Sequence, residues 1–448
     1  MRSPVESTAS GIMEPTREEA PVPRDLDADV IVVGAGLAGL RCATRLAQAG
    51  RHVVVLEAAE VVGGRQRTDE VDGFLLDRGF QVLNPAYPAV QRWVDVAALH
   101  LRSFPVGVRV RRDDGLAELV DPRRHPERIP AMLGSGLARP RDLVALARWV
   151  LPVLARPRRV IAGPDRPLRE GWDRVGLRGP LRSEVLEPFL AGVLADGDGS
   201  TSDSFARLLV RMFVLGSPGV PERGIAALPA QLAAGARAAG ADIRLGVPVR
   251  GLRTRTDGIG IEADVAGGDP LTARAVVVAV GPEAVAELLE IPAPTTKGLQ
   301  TWWFAADAAP ATSALLRVDG RRRGPVVNTV VMSHTARAYA AAGRHLIEAT
   351  CVLPGGADGA GAPSEREVRR QLTEIWGADA TAWELLRRDD LPHALPAQPP
   401  PLRTTSPARV GEARYVAGDH RDTASIQGAL VSGDRVARAV LRDLDARR

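Results

Sequence analysis

The stretch from Asp29 to Glu57, DVIVVGAGLAGLRCATRLAQAGRHVVVLE, constrains the fold more than any other part of the chain. Asp29 to Val33 is a short β-branched run, the pattern of a strand buried on both faces. Gly34, Gly36 and Gly39 follow at G-x-G-x-x-G spacing, with Ala38 inside the same turn. Leu40, Ala43, Leu46 and Ala47 then recur at helical spacing, and Gly50 is the stop signal. Val53 to Leu56 is a second buried strand that ends on an acid, Glu57. Each part has a physical task in holding a dinucleotide. Gly34 permits the tight strand-to-helix turn, Gly36 lets backbone approach a pyrophosphate, and Gly39 lets the helix pack close on the sheet. The helix N-terminus offers free N–H groups and a positive dipole end to the anion. Glu57 stands where an acid accepts hydrogen bonds from ribose hydroxyls and repels a 2′-phosphate. Glycines alone collect in many turns; strand, glycines, helix, strand and acid in this order predict a dinucleotide site.

At 448 residues the chain has room for several domains, or for one nucleotide-binding fold with a large insertion. Its formal net charge is only +4, and Lys297 is the one lysine, so arginine carries the positive charge. No basic block interleaved with aromatics marks a nucleic-acid partner. Cys42 and Cys351 have neither metal-ligand nor redox spacing, which predicts no metal centre and fits cytoplasmic thiols. Residues 1–26 are rich in Pro, Glu, Ser and Thr without an apolar core, and read as a disordered leader. No run reaches the roughly 20 apolar residues of a membrane span.

Beyond Glu57, the turn Gly63-Gly64-Arg65 places a guanidinium beside the expected dinucleotide. The combination of GAGLAGL, Glu57 and VGGR resembles the flavin-dependent amine oxidase and carotenoid (phytoene) desaturase superfamily. DGFLLDRGF is similar to that family's strand and turn toward the isoalloxazine, with Asp77 and Gly79 in matching places. Phe80 replaces a second glycine common in amine oxidases. Near the C-terminus, ARYVAGDHRDTASIQGALVSGD resembles the family's flavin-ribityl segment, with Gly418-Asp419 and a helix starting near Ser425. The resemblance implies bound FAD, with Gly34, Gly36, Ala38, Gly39, Glu57, Gly64, Arg65, Gly79, Val249, Gly418, Asp419 and Ile426 as cofactor-binding residues. Val249 is there the valine whose backbone meets adenine. It also implies an α/β fold: a Rossmann-like (GR2-type) FAD-binding domain made of 27–100, 220–290 and 401–448. A discontinuous α+β substrate domain of 101–219 and 291–400 completes it.

The substrate is argued from departures. Amine oxidases of the superfamily carry an aromatic cage residue where this chain has Ser425, and a lysine soon after the strand AVVVAV, where Glu283 to Ile291 has none. Lys297 lies beyond and reads as a surface lysine. The ending ASIQGALVSG resembles that of plant and cyanobacterial phytoene desaturases. The expectation is therefore a small apolar, isoprenoid-like substrate oxidised by hydride transfer to flavin, with catalytic residues and electron acceptor unassigned. The alternatives are an amine or protoporphyrinogen-type oxidase releasing hydrogen peroxide, and a non-catalytic FAD-binding protein. Trp302 and Trp303 point to opposite faces of a predicted strand, so one at most walls the pocket. His420 and Arg421 stand beside Gly418-Asp419, where they could tune flavin charge or contact substrate. Arg139 to Arg159 holds six Arg and one Asp around the apolar run Leu143 to Leu154. It reads first as a core helix with a solvated basic flank, and second as a peripheral membrane contact. Asp196 to Asp203 lacks the register of an EF-hand loop.

Overall fold

The β-branched run that opens the fingerprint forms the strand Ala28–Val33 in the interior of an eight-stranded sheet. The computed structural model describes residues 26–446, apart from 123–124, 257, 259 and 354–360. The leader read over 1–26 thus lies outside the described residues in all but its last position. Strands Leu271–Val278, Ala28–Val33, Val53–Leu56 and Asp242–Arg244 lie side by side and parallel. Such strands are buried on both faces, and all four residues of Val53–Leu56 are. Val30 and Val32 point into one core with helices Leu37–Gln48, Ala227–Ala238 and Ile426–Asp445. Ile31 and Val33 point into another, over the strands Val249–Thr254 and Ile261–Val265.

The C-terminal strand Arg414–Val416 joins the same sheet, parallel to Leu271–Val278. The helix Ile426–Asp445 then packs on Leu37–Gln48, closing one end of the chain on the other. Arg41 and Asp434 form a buried ion pair at 2.8 Å across this contact.

A second sheet of seven strands has the order Glu384–Pro396, Thr296–Ala306, His345–Leu353, Val326–Val331, Leu316–Asp319, Gly107–Arg112, Gly115–Val120. One face packs on the helix Glu365–Trp376, whose start is set by a capping box between Ser364 and Glu367. Trp302 points into that core and Trp303 into the opposite one, with Phe74 and Tyr339. Helices between 129 and 215 wall the rest, including Pro140–Ala155, which buries Ala145, Trp149 and Val153. Lys297 is not a free surface lysine: it pairs with buried Asp196 at 2.9 Å. Asp196 also accepts backbone N–H bonds from Asp198, Gly199 and Thr201, so the DGDGSTSD loop is closed internally. That pairing holds the Asp196 carboxyl low chiefly through these hydrogen bonds and Lys297, which outweigh its burial.

Candidate cofactor and substrate site

A cavity of about 1260 Å³ runs between the two sheets. That exceeds the ~300–1,000 Å³ typical of a pocket for one drug-sized ligand. Gly34, Gly36, Ala38, Glu57, Gly64, Arg65, Gly79, Val249, Gly418, Asp419 and Ile426 all line it. Residues from both ends of the chain and its middle thus meet on one surface. Gly39 is the exception, because it lies behind that surface. A Cβ there would stand 2.0 Å from the Gly34 carbonyl oxygen, so its task is close helix–strand packing.

At the fingerprint, a Cβ on Gly36 would meet no protein atom within 4 Å. Its space is open cavity, at the N-cap of a helix with no side-chain cap. The uncapped N–H groups of that first turn are unspent donors with a positive dipole behind them. Glu57 Oε2 accepts from the Ala35 N–H at 2.7 Å and Oε1 from the Ala59 N–H at 3.0 Å, which fixes the carboxylate at the cavity wall. Arg65 donates to Asp419 at 2.5 Å and to the Ala394 carbonyl at 2.9 Å. Despite its desolvation, the charge of Asp419 raises the Arg65 pKa, so the guanidinium stays cationic. Below this, Asp77 accepts from Thr68, the Ile225 N–H and Tyr339, tying the segment that leads to Gly79 into the core. Burial pushes the Asp77 carboxyl up to about 6. An open glycine pocket, an uncapped helix N-terminus, an anchored acid and a cation held by Asp419 fit the pyrophosphate and ribose of a dinucleotide.

Past Gly79 the walls turn apolar. Phe80 packs edge-on against Phe104 with ring centroids 5.8 Å apart, and Phe189, Met212 and Phe213 close the helical side. Sequence reasoning missed these helical residues. Their signal was the helical spacing of Val185, Phe189 and Gly192, and of Leu209, Met212 and Phe213. Ser425 lines the cavity, but its hydroxyl is spent as a helix N-cap, accepting from the Gly428 N–H at 3.1 Å. Neither Trp302 nor Trp303 reaches the cavity, and neither does His420 or Arg421. Arg421 turns away to the Pro407 carbonyl. Burial lowers the His420 pKa to about 4, so the ring is neutral at pH 7, and a Cβ on Gly418 would press on it at 2.4 Å.

The sequence profile described as Flavin containing amine oxidoreductase matches residues 37–441. The chain belongs to the flavin-containing amine oxidoreductase family. As a member it is an FAD-dependent oxidoreductase. Its relatives include the hydroxysqualene dehydroxylase of Rhodopseudomonas palustris, 27% identical over 92% of this chain and 98% of that protein. A putrescine oxidase of Kocuria rosea is 46% identical, but over only 16% of each chain. Among solved structures, an oxidoreductase from Methanosarcina mazei matches with a TM-score of 0.70 at 18% identity, over 91% of this chain and 99% of the other. Cyclohexylamine oxidase from Brevibacterium oxydans matches at 0.63 and 17%, over 94% and 100%. These two likenesses concern the fold. In this family member, FAD supplies hydride acceptance, and the protein's own work is positioning and exclusion of water.

Proposed function

We propose that this FAD-dependent oxidoreductase acts on an apolar, isoprenoid-like substrate and not on a simple amine. The observation that carries the reading is the substrate half of the cavity. Phe80, Phe104, Phe189, Met212 and Phe213 wall it, while Ser425 is consumed as a helix cap. The one lysine of the chain is held by Asp196, away from the cavity lining. The position where amine oxidases carry a cage aromatic holds Ser425, and no lysine is among the described residues that line the cavity. The apolar walls would orient a hydrocarbon chain and expel water from it, at roughly 25 cal/mol per Å² of apolar surface removed from water. The hydroxysqualene dehydroxylase relative points the same way.

Anaerobic mixing of the holoprotein with prenyl compounds, amines and porphyrinogens tests this. Bleaching of the flavin by a prenyl compound is expected. Rapid bleaching by a simple amine, with peroxide formed on re-oxidation, overturns the reading.

The cofactor half is read as a Rossmann-like GR2-type domain of 27–100, 220–290 and 401–448, supported by four adjacent parallel strands and the glycine turn. The substrate domain is read as 101–219 with 291–400, supported by the seven-stranded sheet.

The same proposal gives the Arg139–Arg159 segment a role at an anionic lipid surface. Helix Pro140–Ala155 buries one face and leaves Val144 (51% exposed) and Leu151 (60% exposed) on the other, one helical stripe. Arg141, Arg148, Arg156, Arg158 and Arg159 are exposed around them, and the one acid, Asp142, is buried. Apolar groups framed by cations complement an anionic membrane, at about 1 kcal/mol per arginine near the surface. Among the described residues no helix is long and apolar enough to cross a membrane. The double variant Val144→Asp/Leu151→Asp is expected to lose most co-sedimentation with phosphatidylglycerol vesicles while keeping its FAD. Equal sedimentation of variant and parent would remove the membrane from the proposal.

A further inference from the structure

The apolar half of the cavity ends on a polar floor. Strands Thr296–Ala306, His345–Leu353 and Val326–Val331 are neighbours, and their register sets Thr301, Thr350 and Asn328 in one row across the sheet. Successive strands are ~4.8 Å apart, so the three side chains stand in a line on one face. The row begins beside the expected isoalloxazine turn, since a Cβ on Gly79 would lie 4.0 Å from Thr301 Oγ1. It ends at Asn328, which lines the cavity with Thr350.

This row is under-satisfied. Asn328 is 4% exposed, yet its Oδ1 has no hydrogen-bond partner among the described residues. Thr301 Oγ1 has none either. Thr350 donates its hydroxyl proton to Glu348 Oε1, leaving its own lone pairs facing outward from that bond. Glu348, one step along the same face, is fully buried, and its Oε2 is also unpartnered. Burial raises its carboxyl well above the ordinary range. A buried polar atom without a partner costs about 1–3 kcal/mol, and natural cores leave few of them. Gly192 shows that the amide's place is reserved: a Cβ there would stand 2.1 Å from Asn328 Nδ2.

We propose that Asn328 and Thr350, backed by Glu348, form a recognition pole for a hydroxyl group, so that the substrate is an apolar alcohol. The chemistry discriminates among ligands. A hydroxyl is one donor and two acceptor sites, so it can donate to Asn328 Oδ1 and accept from Asn328 Nδ2. A carbonyl accepts only and leaves Oδ1 orphaned; a hydrocarbon leaves both orphaned. An ammonium group donates only, so it can serve Asn328 Oδ1 but leaves Asn328 Nδ2 without an acceptor. Sites built to bond a hydroxyl reject the analogue lacking it for this reason.

This inference rests on the apolar-substrate reading and narrows it. The test uses the FAD-loaded holoprotein, with farnesol, farnesene and farnesylamine as probes, and binding read from the perturbed flavin spectrum. Farnesol is expected to bind at least ~10-fold tighter than farnesene, and Asn328→Leu to abolish that preference while leaving FAD content unchanged. Thr350→Val, which keeps side-chain shape, is expected to reduce the preference and serves if the first variant folds poorly. Equal binding of farnesol and farnesene by the parent protein overturns the hydroxyl pole while sparing the apolar-substrate reading. A preference that survives both substitutions does the same. Binding of farnesylamine alone, with bleaching by simple amines, overturns the apolar-substrate reading and the pole with it.

Discussion

Gly36→Val is expected to give a folded, colourless protein. Gly36 has φ −75° and ψ 178°, ordinary extended backbone that valine adopts readily, and its Cβ would meet no protein atom within 4 Å. The apoprotein therefore has no reason to rearrange. The only thing the new isopropyl group displaces is whatever lies in the cavity at the uncapped N-terminus of Leu37–Gln48. Backbone approach to a pyrophosphate is what this position provides, and a side chain there blocks it. Gly39→Val makes the contrast, because its Cβ would overlap the Gly34 carbonyl at 2.0 Å and force helix from strand. The first variant should keep the circular dichroism and melting behaviour of apoprotein while losing visible flavin absorbance. The second should lose both. Normal FAD content in folded Gly36→Val would show that the cofactor lies elsewhere.

The contrast also shows which parts of this molecule could be read from the chain. Local rules dictate the fingerprint, since a tight turn, an N-terminus and a buried parallel strand each demand particular residues at fixed spacing. Hence Gly34, Gly36, Glu57 and the helix start near Ser425 stood out, and the structure places them at a turn, a cavity wall and a helix cap. The substrate half obeys no such local rule. Phe189, Met212 and Asn328 meet only because one seven-stranded sheet and a set of Pro-interrupted helices fold over it. Any apolar residue at those helical positions would have satisfied the pattern. Lys297 failed for a related reason: its ion pair with Asp196 spans distant segments, and no spacing announces it. Trp302 and Trp303 were placed on opposite faces correctly, but both faces of that strand are covered, so neither meets the cavity.

Asp434→Ala is expected to destabilise the protein by about 3–5 kcal/mol, the cost of leaving a buried charge without its partner. The stranded group is Arg41, whose side chain is 8% exposed against 3% for Asp434. Arg41 cannot swing out cheaply, since its guanidinium also stacks 4.5 Å from the Trp93 ring centre. Arg438 reaches the other oxygen of Asp434 at 2.8 Å, but it is half-exposed, so its loss adds little. Against a net stability of roughly 5–15 kcal/mol, the change removes a large fraction. It also acts where function depends on it, because Arg41 and Asp434 join the two helices whose N-terminal ends face the cavity. Excess FAD should therefore recover part of the loss, since a ligand bound only by the folded state stabilises it by mass action. The double variant Arg41→Met/Asp434→Leu, which removes both charges and keeps the volume, should lie close to the parent in urea unfolding. If the single variant unfolded at the same urea concentration as the double one, the buried pair would not be what locks the C-terminal helix onto the fingerprint helix.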